Sequence, residues 1–118
     1  MNIQEFYASI GEDSSNPLRR FGSEQLLRKY LGKMLSDQTF ASLSEAMELN
    51  NQELAFRAAH TLKGIALNLD LSPLTRISSQ LTELLRDADQ IPEGASALFG
   101  ELAAVYDSII IKLRQVLL

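Results

Sequence analysis

Residues 52–69 read QELAFRAAHTLKGIALNL, and this stretch decides the fold. Wind it at about 100° per residue with His60 at zero. Leu54, Ala58, Leu62, Ile65 and Leu69 then gather on one side, centred about 160° away. Ala55, Ala59 and Ala66 flank them. That is the apolar stripe of an amphipathic helix facing a core. Around His60 lies a different set. Phe56 and Leu67 fall within about 40° of it, and Arg57, Lys63 and Gly64 within about 60°. The pattern predicts a solvent-facing His60 among two apolar side chains, two cations and a glycine.

Working outward, Asn50-Asn51 supplies a turn before this helix. Upstream, Ser23 to Leu49 carries Leu26, Leu27, Tyr30, Leu31, Met34, Leu35, Leu43, Ala46 and Met47 at helical spacing. Ser23 suits an N-cap, and Asp37, Gln38 and Thr39 mark a place for a kink or break. Downstream, a third helix starts near Ser72-Pro73, a capping residue followed by proline. It carries Leu74, Ile77, Leu81, Leu84 and Leu85 and fades near Asp87. Asp89 to Gly94 reads as a loop. The fourth helix runs from Ala95 to Leu117 on Leu98, Leu102, Val105, Ile109, Leu113 and Val116. Its long period outweighs the β-branched run Ile109 to Ile111. Ile3, Phe6, Tyr7 and Ile10 predict a short helix lying across the others, with Gly11 to Asn16 as a mobile connection. The expected fold is all-α: an antiparallel up-down four-helix bundle with a short extra N-terminal helix. Residues 1–22 form that helix and its connection, and residues 23–118 form the bundle, within a single domain overall.

The bulk numbers agree with one soluble domain. The chain has 118 residues, 46% hydrophobic and 22% charged, enough apolar surface to build a core. It has no cysteine, so disulfides and thiolate chemistry are excluded, and a reducing compartment fits. No signal-peptide pattern and no spanning run appear, so the expected location is cytoplasmic, with no membrane contact. The net charge of −4 argues against nucleic acid as partner.

The chemistry centres on His60, the sole histidine. Neutral imidazole is a good nucleophile near pH 7. Lys63, one turn on, can reach the oxygens of a phosphoryl group carried by the ring. Gly64 costs roughly 1 kcal/mol against alanine inside a helix, which makes sense where something must approach the backbone. Phe56 and Leu67 on an exposed face mark a docking surface. One histidine without cysteine makes zinc very improbable. No serine–histidine motif, phosphate-cradling glycine loop or kinase signature is present. The chain can hold a phosphoryl group but lacks the parts to take one from ATP.

At these residues the sequence resembles a known family. Ala58-Ala59-His60-Thr61-Leu62-Lys63-Gly64-Ile65-Ala66-Leu67-Asn68-Leu69 is similar to the signature of histidine-containing phosphotransfer (HPt) domains, A-H-x-L-K-G followed by small residues and N-L-G. The likeness spans about residues 18 to 117. Leu18-Arg19-Arg20-Phe21-Gly22 and Ser23-Glu24-Gln25-Leu26-Leu27 resemble the family's approach to its first bundle helix. Leu74, Ile77, Leu81 and Arg86 match the leucine-rich helix after the site.

The resemblance implies that His60 accepts the phosphoryl group, Lys63 stabilises it and Gly64 leaves clearance for a partner. Phe56, Arg57 and Leu67 would bind that partner. Implied partners are response-regulator receiver domains and a histidine kinase or hybrid kinase. The chain itself would need no cofactor, Mg²⁺ being held by the receiver, and would act as a monomeric carrier without kinase machinery. Three positions depart from the pattern. Asp70 stands where glycine is frequent, and tolerates a left-handed turn. Ile65 replaces a small residue. Thr82 stands where a longer acceptor often faces the imidazole, and is expected as a neighbour of the ring. Glu83 is expected to point elsewhere. Two other classes stay open: a non-catalytic helical adaptor or inhibitor binding a receiver or kinase, and an unrelated enzyme on a four-helix scaffold, which would need inward carboxylates or histidines.

Overall fold

The computed structural model describes residues 1–118 as seven helices and no strand. They are α1 (Ile3–Ser9), α2 (Ser15–Phe21), α3 (Glu24–Met34), α4 (Thr39–Glu48), α5 (Gln52–Asn68), α6 (Ser72–Leu85) and α7 (Ala95–Leu117). Four up-down arms make the bundle: α3 continued by α4, then α5, α6 and α7. Consecutive arms pack side by side, and α3 meets α7 to close the ring.

The first arm breaks where Asp37 to Thr39 predicted a kink or break. Helix α3 stops at Met34, and the Asp37 carboxylate accepts the Thr39 amide (2.8 Å) to start α4. Ser23 caps α3 as expected, its hydroxyl accepting the Leu26 amide at 3.1 Å. At α6 the cap residue is Leu71, not Ser72, and Pro73 sits inside the first turn. Proline is tolerated there because its missing N–H has no partner in a first turn.

Residues 1–22 hold more structure than a short helix and a connection. Asn2 and Glu5 form a reciprocal capping box that starts α1. Ile3, Phe6 and Tyr7 are fully buried, and α1 lies against α7. A second helix, α2, occupies Ser15–Phe21, overlapping the segment expected as a mobile connection. It begins with Ser15, Asn16 and Pro17, poor helix interior but acceptable in a first turn, and ends on Gly22 in the left-handed region. Its apolar set is too short to show a period, so pattern alone does not find it.

One face of α5 is turned from its predicted phase. The buried residues are Ala55, Ala58, Ala59, Leu62, Ala66 and Leu69. Their centre lies about 210° from His60, roughly 50° beyond the expected stripe. Leu54, expected inside, is 48% exposed. The cause is on α6, whose buried face includes Ser78 and Thr82. Small residues on both helices let them approach closely, so alanines rather than leucines take the centre of the interface. Both hydroxyls are satisfied on their own helix: Ser78 donates to the Leu74 carbonyl (2.6 Å) and Thr82 to the Ser78 carbonyl (2.7 Å).

Candidate functional site

Helix α5 is defined at both ends. The Leu54 amide donates to Asn51 Oδ1 (3.1 Å) at the start. At the finish Asp70 adopts φ +54°, the Leu71 amide bonds the Ala66 carbonyl (2.9 Å), and the Asp70 amide bonds that of Leu67 (3.2 Å). This is the Schellman closure usually made with glycine. Aspartate fills the position, as its tolerance of left-handed backbone predicts.

Tyr7 and Arg20 then pin this end. The Tyr7 hydroxyl donates to the Leu69 carbonyl at 2.7 Å. Burial is the main cause that pushes the Tyr7 phenol well above its ordinary range, so it stays a donor. Arg20 reaches the Leu67 carbonyl (3.3 Å) and Asp70 Oδ1 (3.1 Å). Burial also raises the Asp70 carboxyl, with Arg20 opposing. Its other oxygen, Oδ2, is buried without a partner.

Between these anchored ends His60 stands exposed at mid-helix. Its ring lies parallel to Phe56 one turn back, with centroids 6.1 Å apart and planes 6° from each other. Lys63 is half-buried one turn on and takes part in none of the four ion pairs. Gly64 is exposed, and a Cβ there would meet nothing within 4 Å. Internal packing therefore gives no reason for the glycine. Leu67 is 54% exposed on the same face. Arg57 lies toward α4, paired with Glu53 at 2.6 Å, along a groove shared with Leu54 and Thr61. So His60, Phe56, Lys63, Gly64 and Leu67 share one surface, with Arg57 at its edge.

Thr82, expected beside the ring, has no hydroxyl proton free for it. It is fully buried and its hydroxyl is spent on Ser78. Glu83, expected to point elsewhere, faces the site. Arg86 grips its carboxylate with two hydrogen bonds (3.0 and 3.3 Å) and holds it below the ordinary carboxylate range, and the positive charge of Lys63 adds to that lowering. The Arg86 guanidinium also lies 5.1 Å from the Phe56 ring centre. Sequence reasoning missed this pair. Its signal was a Glu and Arg three apart, but nothing in the spacing says which neighbour α6 turns toward.

A second feature was also missed. Arg20, Phe21, Tyr30, Lys33, Ile65 and Asn68 line a groove beside α5. Phe21 and Tyr30 pack at 5.3 Å and the Lys33 ammonium lies 4.7 Å from the Tyr30 ring centre. Five of the eleven basic residues fall between Arg19 and Lys33 with one acid, Glu24, in a chain of net charge −4. No three of the His, Asp and Glu side chains converge as metal ligands would.

The family model of the Hpt domain matches residues 25–115. The chain belongs to the Hpt domain family. Hpt domains carry phosphoryl groups on histidine in phosphorelays, engaging receiver domains and kinases, and act as phosphocarriers rather than catalysts. The Hpt match spans all four arms, from inside α3 to the last turn of α7, and includes His60. Helices α1 and α2 precede the matched segment, and α1 adds Ile3, Phe6 and Tyr7 to its core. No curated protein and no solved structure matches this Hpt domain. No helix is long and apolar enough to cross a membrane.

Proposed function

We propose that this Hpt domain accepts a phosphoryl group on His60 from the phospho-aspartate of one receiver domain and passes it to a second. The observation that carries the reading is the state of the sole histidine: exposed at mid-helix, with Lys63 one turn on and no side chain at Gly64. An imidazole nitrogen attacks phosphorus, the acyl-phosphate O–P bond breaks, and its electron pair returns to the aspartate carboxylate. The reverse step loads the next receiver. Lys63 pairs with the transferred oxygens. Gly64 admits the receiver's active-site loops, while Phe56, Arg57 and Leu67 meet its surface.

Mg²⁺ belongs to the receiver in this reading, and the Hpt domain brings no cofactor of its own. A carrier that docks successive partners on one face works as a monomer. The lack of cysteine fits the cytoplasm as its location.

The test is incubation with a phosphorylated receiver domain. An acid-labile, alkali-stable label on the wild-type chain, absent from His60→Gln, is expected, with Lys63→Ala losing label faster at unchanged helicity. No label on the wild type, or label persisting in His60→Gln, defeats the reading. Receiver binding without label would instead assign a non-catalytic adaptor or inhibitor.

A further inference from the structure

Glu83 and Arg86 have no evident work in holding the fold. Their pair is exposed, and an exposed ion pair contributes little to stability. Glu83 also sits in the last turn of α6, where the helix dipole disfavours negative charge. What the two residues share is position. Arg86 lies over the Phe56 ring, and Phe56 stacks on His60. The positive charge of Lys63 is near enough to lower the Glu83 carboxyl further. One carboxylate thus holds the arginine that packs on Phe56, the neighbour of the imidazole.

We propose that Glu83 is a latch on the lifetime of phospho-His60: it engages Arg86 while the ring is free and competes with the phosphoryl group for that guanidinium once the ring is loaded. The inference rests on the phosphocarrier reading above. Glu83 holds Arg86 through Nε and Nη2. An arginine has five N–H donors, so further donors on the Nη1 side remain free. With its central carbon over the Phe56 ring, the guanidinium can offer those donors beside the two rings.

The effect on lifetime follows from the chemistry of loss. In hydrolysis a water oxygen bonds to phosphorus and the N–P bond breaks. Its electron pair returns to the ring nitrogen, which takes up a proton from water as inorganic phosphate leaves. The transition state of phosphoryl transfer is loose and metaphosphate-like, and metaphosphate bears one negative charge where the bound dianion bears two. A cation on those oxygens therefore stabilises the loaded state more than the transition state and slows loss. A carboxylate that occupies the cation speeds it. Glu83 acts through Arg86 and is a positioning residue.

The test loads His60 with phosphoramidate, a small-molecule donor that needs no partner, and follows decay of the phosphohistidine by ³¹P NMR. Glu83→Gln is expected to lengthen the lifetime by about threefold or more, the scale of an exposed ion pair. Arg86→Gln should shorten it, and the gain from Glu83→Gln should vanish in the double variant. An unchanged or shorter lifetime in Glu83→Gln overturns the latch. So does a full gain that survives without Arg86, which would make Glu83 a simple repelling charge. If wild-type His60 loads from phosphoramidate but not from a receiver, the carrier reading fails and the lifetime comparison still decides the latch. A wild type that loads from neither overturns both.

Discussion

Gly64 shows how a single residue separates stability from function. Glycine inside a helix costs roughly 1 kcal/mol against alanine because its backbone loses more freedom on folding. Its φ is not in the left-handed region, and a Cβ would touch nothing within 4 Å. The molecule alone has no use for it. Gly64→Ala is therefore expected to raise the unfolding free energy by about 0.5–1 kcal/mol while slowing transfer from a phosphorylated receiver. Denaturant titration and transfer kinetics on one preparation check both halves. Unchanged transfer in the bulkier Gly64→Gln would remove the clearance argument.

At the scale of the element, the junction of α5 and α6 carries an unresolved charge. Asp70 holds the left-handed turn and pairs with Arg20, yet burial raises its carboxyl. A carboxyl raised in the folded state binds its proton more readily there than in the unfolded chain. Its contribution to stability is present at low pH and lost as pH rises through its folded value. Asp70→Asn keeps both the turn preference and an acceptor for Arg20, without the charge. It should raise the thermal midpoint at pH 7, and the gain should shrink as pH falls toward about 4. A gain that grows on acidification would show that the Arg20 pairing outweighs burial.

At the scale of the molecule, the boundary of the core is wider than the family segment. Residues 25–115 match the family model, but Ile3, Phe6 and Tyr7 ahead of it are fully buried. Phe6 packs edge-on against Tyr7 with centroids 5.0 Å apart. Phe6→Ala should cost about 3–5 kcal/mol, a large share of the roughly 5–15 kcal/mol available to a domain. Urea denaturation measures it directly. A loss under about 1 kcal/mol would mean that α1 is an appendage rather than part of the core.

By itself the sequence determined the helical class, the four arms and the face that carries His60. Those depend on local period and punctuation, which a chain displays without knowing its neighbours. It also placed Lys63 and Gly64 on the face of His60, because both sit on the same helix at distances set by helical geometry. Tertiary structure decided the rest. The phase of α5 turned because small residues of α6 drew alanines into the interface and left Leu54 outside. Thr82 was drawn inward by the same contact, and its hydroxyl was spent on its own backbone. Glu83 and Arg86 came to Phe56, the neighbour of the imidazole, only because α6 packs against α5 in that register. Periodicity states which side of a helix is apolar; the rotation at which two helices settle depends on how closely their side chains let them approach.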